Sequence, residues 1–272
     1  MWVEMNSRKL KYTKVLMMLG VLLLASPTFS QVETYEDCFS KKNNADLKNL
    51  NKKQKGAAVD GVFYTSGANI PAAGMTWQTS FKPHKSVSKS RPKNMSQNEW
   101  AEETCGLNAY RVQDNREATR WCEGVSGSGI GEVVVGFVGL ENKNYFYILP
   151  GVNGLRKNYE SYSRPSEIVV HYLLPGKYDI SQAGGKILGE VIYWNKQTVK
   201  LNAEPGYQKI VIQGYDEIVK EVKKYNLRYP LILVAIEIRS VIEGKENKEH
   251  TCIAEIGNSE EDAFYKKATL RD

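Results

Sequence analysis

The chain has 272 residues, with 37 Lys and Arg against 31 Asp and Glu, a formal net charge of +6, and four cysteines. That length suits one or two domains with a sizeable core. Arg8, Lys9, Lys11 and Lys14 against Glu4 place half of the excess charge in the first thirty residues, and the nearly balanced remainder argues against a nucleic-acid partner.

The basic start runs into an apolar stretch at 15–25 and then into Pro27, Thr28 and Ser30, the pattern of a signal peptide over 1–30 cleaved before Gln31. So short a stretch spans about half of a ~30 Å hydrocarbon core, so no stable membrane insertion is expected. The first cysteine after it is Cys38, too distant for a lipid-anchored form. The mature protein is therefore expected to be secreted, periplasmic or held at a cell surface. Residues 31–73 lack a sustained period and are expected to be a poorly ordered or loosely packed extension, with a short polar helix within 37–54. The Lys-, Ser- and Asn-rich stretches at 41–55 and 82–93 read as solvated linker or loop.

From residue 74 the punctuation is that of an all-β domain. Val-, Ile-, Tyr- and Phe-rich segments at 75–81, 132–138, 145–149, 167–173, 208–212, 231–241 and 251–256 are separated by Gly, Pro and Asn clusters. Ile218, Val219 and Val222 lie on one face of a short amphipathic helix predicted over 215–225. Many short strands and one or two short helices imply a sandwich or barrel over 74–257, with 258–272 as a C-terminal tail.

All four cysteines lie beyond the leader, and an even count in an oxidising compartment predicts two disulfides. Cys105–Cys122 would close a short loop, whereas Cys122–Cys252 would tie a glycine-rich run to the last strand. Spacing alone does not choose. The expectation adopted is Cys122 with Cys252 and Cys38 with Cys105, which requires the last strand to lie beside the strand entering the glycine run.

That run, Trp121-Cys122-Glu123 followed by Gly124, Gly127, Gly129 and Gly131, leads into a buried strand, whereas a phosphate-binding loop follows a strand and opens a helix. His84, His171 and His250 form no tight ligand spacing, and no Gly-x-Ser-x-Gly turn occurs. His171 reads as a half-buried strand residue. The chain is expected not to be an enzyme.

The run Asp114-Asn115-Arg116-Glu117-Ala118-Thr119-Arg120-Trp121-Cys122-Glu123-Gly124, with Gly129-Ile130-Gly131-Glu132 behind it, resembles a motif of a bacterial family of NADase-type glycan-binding domains. These form a branch of the discoidin-like, galactose-binding-like domains. A second segment, Val152-Asn153-Gly154-Leu155-Arg156-Lys157-Asn158-Tyr159 with Tyr162 and Arg164, and a third, residues 239–244 with 251–256, are similar to later motifs of the same family. The chain departs from the family pattern with Asn115 in place of Gly and Leu155 in place of Tyr. An insert-like stretch at 179–200 has no counterpart.

The resemblance implies a galactose-binding-like jelly-roll β-sandwich whose loops at one end hold a ligand. Its glycan-binding set would be Trp121, Glu123, Asn153, Arg156, Asn158, Tyr162 and Arg164, with Trp121 offering a flat face and the others directed polar groups. The alternatives are that Trp121 is core, that Glu123 and Glu132 satisfy backbone N–H groups of the glycine turn, and that Arg164 packs its stem against a strand edge. Related domains hold a structural calcium before this Trp, for which Asp114, Asn115 and Thr119 are the candidate ligands, against an ordinary Asx turn; no other cofactor is expected. The implied function is a secreted, non-catalytic module that binds glycans or glycoconjugates at a cell or matrix surface. The alternative is a structural or protein-interaction sandwich that docks on a surface protein.

Overall fold

The computed structural model describes residues 43–65, 77–83, 92–96, 99–100, 105–114, 116–141, 143–152, 156–182, 184–225 and 230–257. All lie in the compact unit that begins at Tyr35. The leader, Cys38, His84, Asn115, Asn153 and the tail at 258–272 lie outside the described residues.

The chain is an all-β sandwich with few short helices. The strands are β1 (Phe63–Tyr64), β2 (Trp121–Cys122), β3 (Val133–Gly139), β4 (Tyr145–Pro150), β5 (Tyr162–Ile180), β6 (Lys186–Lys200), β7 (Gln208–Val211), β8 (Leu231–Ile242) and β9 (Asn247–Gly257). Helix α1 (Arg156–Ser161) precedes β5, and α2 (Tyr215–Lys224) precedes β8. One antiparallel sheet runs β1-β6-β5-β8-β3, and the other runs β2-β9-β4-β7. They touch edge to edge where the starts of β5 and β9 pair in parallel.

Alternation decides which residues meet between the sheets. On β3, β5 and β8 the register aligns Val134, Val170 and Ile236 on one face, with Gly136, Tyr172 and Val234 beside them. This face meets β9 closely: a Cβ at Gly136 would stand 2.9 Å from Ile256 Cγ2. The free edge of β3 is closed by a side chain. Gln113, in a 3-10 helix (Ala109–Gln113), donates from Nε2 to the Phe137 carbonyl at 2.7 Å and accepts the Phe137 N–H at 3.0 Å. A buried edge must find such partners for its peptide groups.

The other face of the larger sheet is covered too, which is why β8 is buried from Leu231 through Ile238. The cover is the segment expected to be a loose extension. Leu47 and Leu50 on a 3-10 helix (Ala45–Lys52), followed by Val59 and Phe63, belong to the main core. Backbone bonds from Gly56 to Tyr193 and from Val59 to Val191 lay this segment along β6, where β1 completes the edge. The boundary near residue 74 is therefore corrected: residues 43–65 are part of the sandwich.

Under that cover His171 is fully buried, not half-buried, and bonds Glu237 Oε2 at 2.9 Å. Burial opposes the Glu237 charge, but His171 and Arg239 outweigh it and hold the carboxyl below its ordinary range. Asn51 Nδ2 also donates to Glu237 Oε2. The expected strand at 75–81 is reduced, among described residues, to a single bridge from Gln78 to Val134. The insert-like stretch at 179–200 is the second half of the β5–β6 hairpin, paired from Glu167↔Lys200 to Ile180↔Lys186.

Candidate functional site

The pairing registers bring the ends of β2, β4 and β8 and the starts of β3, β5 and β9 to one end of the sandwich. The glycine turn at 124–131, residues 151–152 at the end of β4, helix α1 and the β8–β9 turn gather there. The first two sequence motifs thus share one rim.

The glycine turn is built around a buried acid. Glu123 is fully buried, and its carboxylate accepts the N–H of Val125 at 2.9 Å and of Thr251 at 3.1 Å. Its methylene stem fills the space where Gly129 has no side chain: a Cβ there would lie 2.2 Å from Glu123 Cγ. Gly129 also has φ of +70°, a conformation that L side chains resist. Thr251 Oγ1 donates to the Ser128 carbonyl at 2.8 Å and pins the tip of the turn to β9. Glu132 closes the turn by accepting from Thr79 Oγ1 at 2.6 Å and pairing with Lys48 at 2.6 Å.

Trp121 is also fully buried, and its indole N–H donates to the Ser80 carbonyl at 2.9 Å. Neither Trp121 nor Glu123 presents a surface to solvent, which corrects their assignment as ligand contacts: the flat ring is core, and the carboxylate is spent on backbone N–H groups. Cys122 and Cys252 are register partners and form a disulfide with a Cα separation of 4.1 Å. The Cys122 N–H goes to the Leu107 carbonyl and the Cys252 carbonyl accepts from Gly151, so this is a non-hydrogen-bonded pair, the type that brings opposed side chains closest. Cys105 is disulfide-bonded as well, and its expected partner Cys38 lies outside the described residues.

On the α1 side, Arg164 is buried at 6% exposure, not free at the surface as a solvent-facing contact would be. Its guanidinium carbon sits 4.3 Å from the centroid of the buried Tyr159 ring, and Nη1 reaches the Tyr159 carbonyl at only 3.4 Å. Arg120, half-buried, stacks over half-buried Tyr162 at 4.7 Å. The backbone of Arg156 and Asn158 is in α1; their side chains, like all of Asn153, lie outside what is described. The sequence reading missed Arg120 and Tyr159. The available signal for Arg120 was strand alternation, since a residue next to a core Trp points the other way.

Asp114 lies farther down β9. Its Oδ1 accepts from Thr119 Oγ1 at 2.7 Å and from the Arg116 N–H at 3.1 Å, and its Oδ2 pairs with Arg111 at 3.1 Å. Glu255, also missed from sequence, accepts the same Arg116 N–H at 2.8 Å. Burial, with Asp114 beside it, holds the Glu255 carboxyl well above the ordinary range. Thr119 and Asp114 thus form an Asx-type turn in which Arg111 already supplies the counter-charge. No group of three or more His, Cys, Asp or Glu suited to a metal occurs among the described residues. Two carboxylates and a hydroxyl come together here among the described residues, so the remaining ligands of a calcium with six to eight oxygens would have to be Asn115, backbone oxygens or water.

Burial raises Glu123 from an ordinary 4.5 to about 7, with the Glu132 charge adding to the rise and the bonds from Thr251 and Val125 and the charge of Lys82 opposing it; His250 Nδ1 is 3.7 Å from its Oε1. A raised carboxyl favours the fold while protonated, so its contribution is complete below pH 4.5 and is lost as pH rises toward 7. Urea unfolding of the wild type should accordingly show stability falling across that window. In Glu123→Gln the decline should be shallower, leaving the part contributed by Glu255, which is also raised, with a deficit of about 1 kcal/mol at pH 5 from one lost backbone bond. A wild-type curve that rises through the window would contradict this assignment.

No family model and no curated protein matches the chain. Two solved structures are similar to it in part. One, a mycobacterial arabinofuranosyltransferase, AftD, is 9% identical over 56% of this chain and 9% of that one, with a TM-score of 0.29. The other, a GH29 fucosidase of Ruminococcus gnavus in complex with fucose, is 10% identical over 60% of this chain and 24% of that one, with a TM-score of 0.24. Similarities at this level carry no argument about fold or function.

Proposed function

We propose that the protein is an exported, non-catalytic recognition module of galactose-binding-like jelly-roll type that binds glycan at the rim formed by the glycine turn, α1 and the β8–β9 turn. The observation that carries this reading is the convergence of two distant motif segments, 114–132 and 152–164, on one end of a disulfide-stapled sandwich. Rigid strands presenting ligand groups on loops are the usual way such a fold carries function. Tyr162, Arg120 and Arg164 supply aromatic and cationic groups there, and Asn153, Arg156 and Asn158 belong to the same segment. Export rests on the leader at 1–30 and is in keeping with the disulfides. Among the described residues no helix is long and apolar enough to cross a membrane. Calcium enters only as a condition to test, because Asn115 is the one candidate ligand whose surroundings are not described.

A second reading, docking on a surface protein, is favoured by an aromatic surface on the outer face of the smaller sheet. Tyr145, Tyr147 and Tyr207 form consecutive edge contacts there at 5.8 and 6.5 Å, and Lys209 lies 3.7 Å from the Tyr145 centroid.

Glycan-array binding of the mature chain with and without EDTA, beside assays for NAD⁺ and glycoside cleavage, tests the proposal. Binding with a Kd of about 0.1–1 mM per site and no turnover is expected, since a shallow rim desolvates few ligand atoms. Turnover of either substrate would overturn the non-catalytic reading, and silence across the array would favour protein docking.

A further inference from the structure

Two arginines at the rim lack the partners that buried cations need. Arg164 is 6% exposed, yet its Nε has no hydrogen-bond partner; its Nη1 reaches the Tyr159 carbonyl at 3.4 Å, and its charge also acts on the Tyr159 hydroxyl. The Nε of Arg120 is likewise buried without a partner, its Nη1 reaches the Ala118 carbonyl at 3.5 Å, and burial works against its charge while Tyr162 supports it. Each cation is carried by the face of a tyrosine ring, Tyr162 for Arg120 and Tyr159 for Arg164. Both tyrosines border the turn between α1 and β5, so the two stacked pairs flank one short stretch of chain.

Among the described residues no carboxylate lies within 4.0 Å of either guanidinium. Glu204, on the β6–β7 loop, is felt by Tyr159 but forms no such pair with Arg164. Among the described residues, Glu132, Glu237 and Asp114 by contrast each meet an opposite charge or a donor set. A ring face and one long carbonyl contact return less than the hydration a guanidinium gives up, so these donors await an acceptor. Gly151 keeps the space beside Arg164 small-sided: a Cβ there would stand 3.3 Å from both Arg164 Cβ and Tyr159 Cε2.

Resting on the glycan reading above, we propose that the rim recognises an acidic sugar, one carrying a carboxylate or a sulfate, whose anionic group takes the unpaired donors of Arg120 and Arg164 while its ring lies among Tyr162 and the α1 segment. Guanidinium forks match the two oxygens of a carboxylate or sulfate.

Calorimetry of the full mature chain against a trigalacturonate, the neutral galactose trimer, a sulfated galactose trimer and inorganic sulfate tests this. The wild type should bind the acidic trimers at least about tenfold more tightly than the neutral one, since charge-assisted bonds are worth that much, and the preference should shrink as salt rises. Arg120→Gln should abolish the preference while its thermal midpoint stays within a few degrees of wild type. Arg164→Lys, which keeps the charge but loses the fork, should reduce it while remaining folded; if it unfolds, Arg120→Gln decides alone. Equal binding of acidic and neutral trimers, or an unchanged preference in Arg120→Gln, overturns the acidic-sugar inference and leaves the glycan reading standing. Sulfate alone binding as tightly as the sulfated trimer reduces the site to a general anion site and also overturns it. No binding by any of these sugars overturns the acidic-sugar inference, whereas silence across the whole glycan array overturns the glycan reading as well.

Discussion

Replacing Cys122 and Cys252 together by alanine is expected to lower the unfolding free energy by about 4–5 kcal/mol, the cost of releasing a very long loop in the unfolded chain. The two residues are 130 apart in sequence, so their bond restricts about half of the chain before folding begins. It also acts locally. β2 is only two residues long and is held to β9 by this register pair, and the Glu123 carboxylate that supports the glycine turn follows directly. Loss of the staple should therefore loosen the turn before the sandwich unfolds, which hydrogen exchange at Val125 and Thr251 would report. Cys252 is fully buried and Cys122 is 2% exposed, so reductant alone should not open the bond in the folded protein. Rapid reduction without denaturant, or a double variant as stable as wild type, would contradict this.

Trp121→Ala is expected to cost about 3–5 kcal/mol, the range for deleting a large buried ring, with the Ser80 carbonyl left unpaired as well. For a domain of this size the thermal midpoint should fall by about 10 °C. The decisive companion is Trp121→Phe, which keeps most of the volume. Because the indole has no exposed face, Trp121→Phe should bind any ligand of the rim within about twofold of wild type despite reduced stability. A large affinity loss in a folded Trp121→Phe protein would restore Trp121 to the ligand site.

The strongest strands were readable because their composition left few choices. Leu231-Ile232-Leu233-Val234-Ala235-Ile236 is apolar on both faces and is the strand buried on both faces, and 167–173 pairs beside it. Helix α2 showed its Ile218, Val219 and Val222 stripe and buries Ile218 and Val222. Spacing did not choose the Cys122–Cys252 pairing; it forms because β9 lies beside β2 with the two cysteines in register. The core role of 43–65 was masked by its Lys and Asn content, although Leu47 and Leu50, three apart, carried the signal of a short helix with one apolar side. β6 alternates half-buried and exposed residues only from Asn195 to Lys200, and it was hidden because 181–185 reads equally well as a turn within an insertion. At the rim, sequence placed the residues on one loop cluster but could not orient them. Whether Trp121 faces a ligand or the core depends on the Ser80 carbonyl, 41 residues away in sequence, and whether Glu123 points outward depends on the Thr251 N–H of β9 as well as the local Val125 N–H. Long-range partners of this kind are set by the tertiary fold and leave no local pattern.

Amide chemical-shift mapping of the mature, isotopically labelled protein during glycan titration tests most directly that ligand binds at the rim. Perturbations should be confined to residues 120–131, 151–164, 201–207 and 243–251, which the strand registers gather at one end of the sandwich. Perturbations centred on 140–144 and 212–225 at the opposite end, or on Tyr145 and Tyr147 of the smaller sheet, would contradict it.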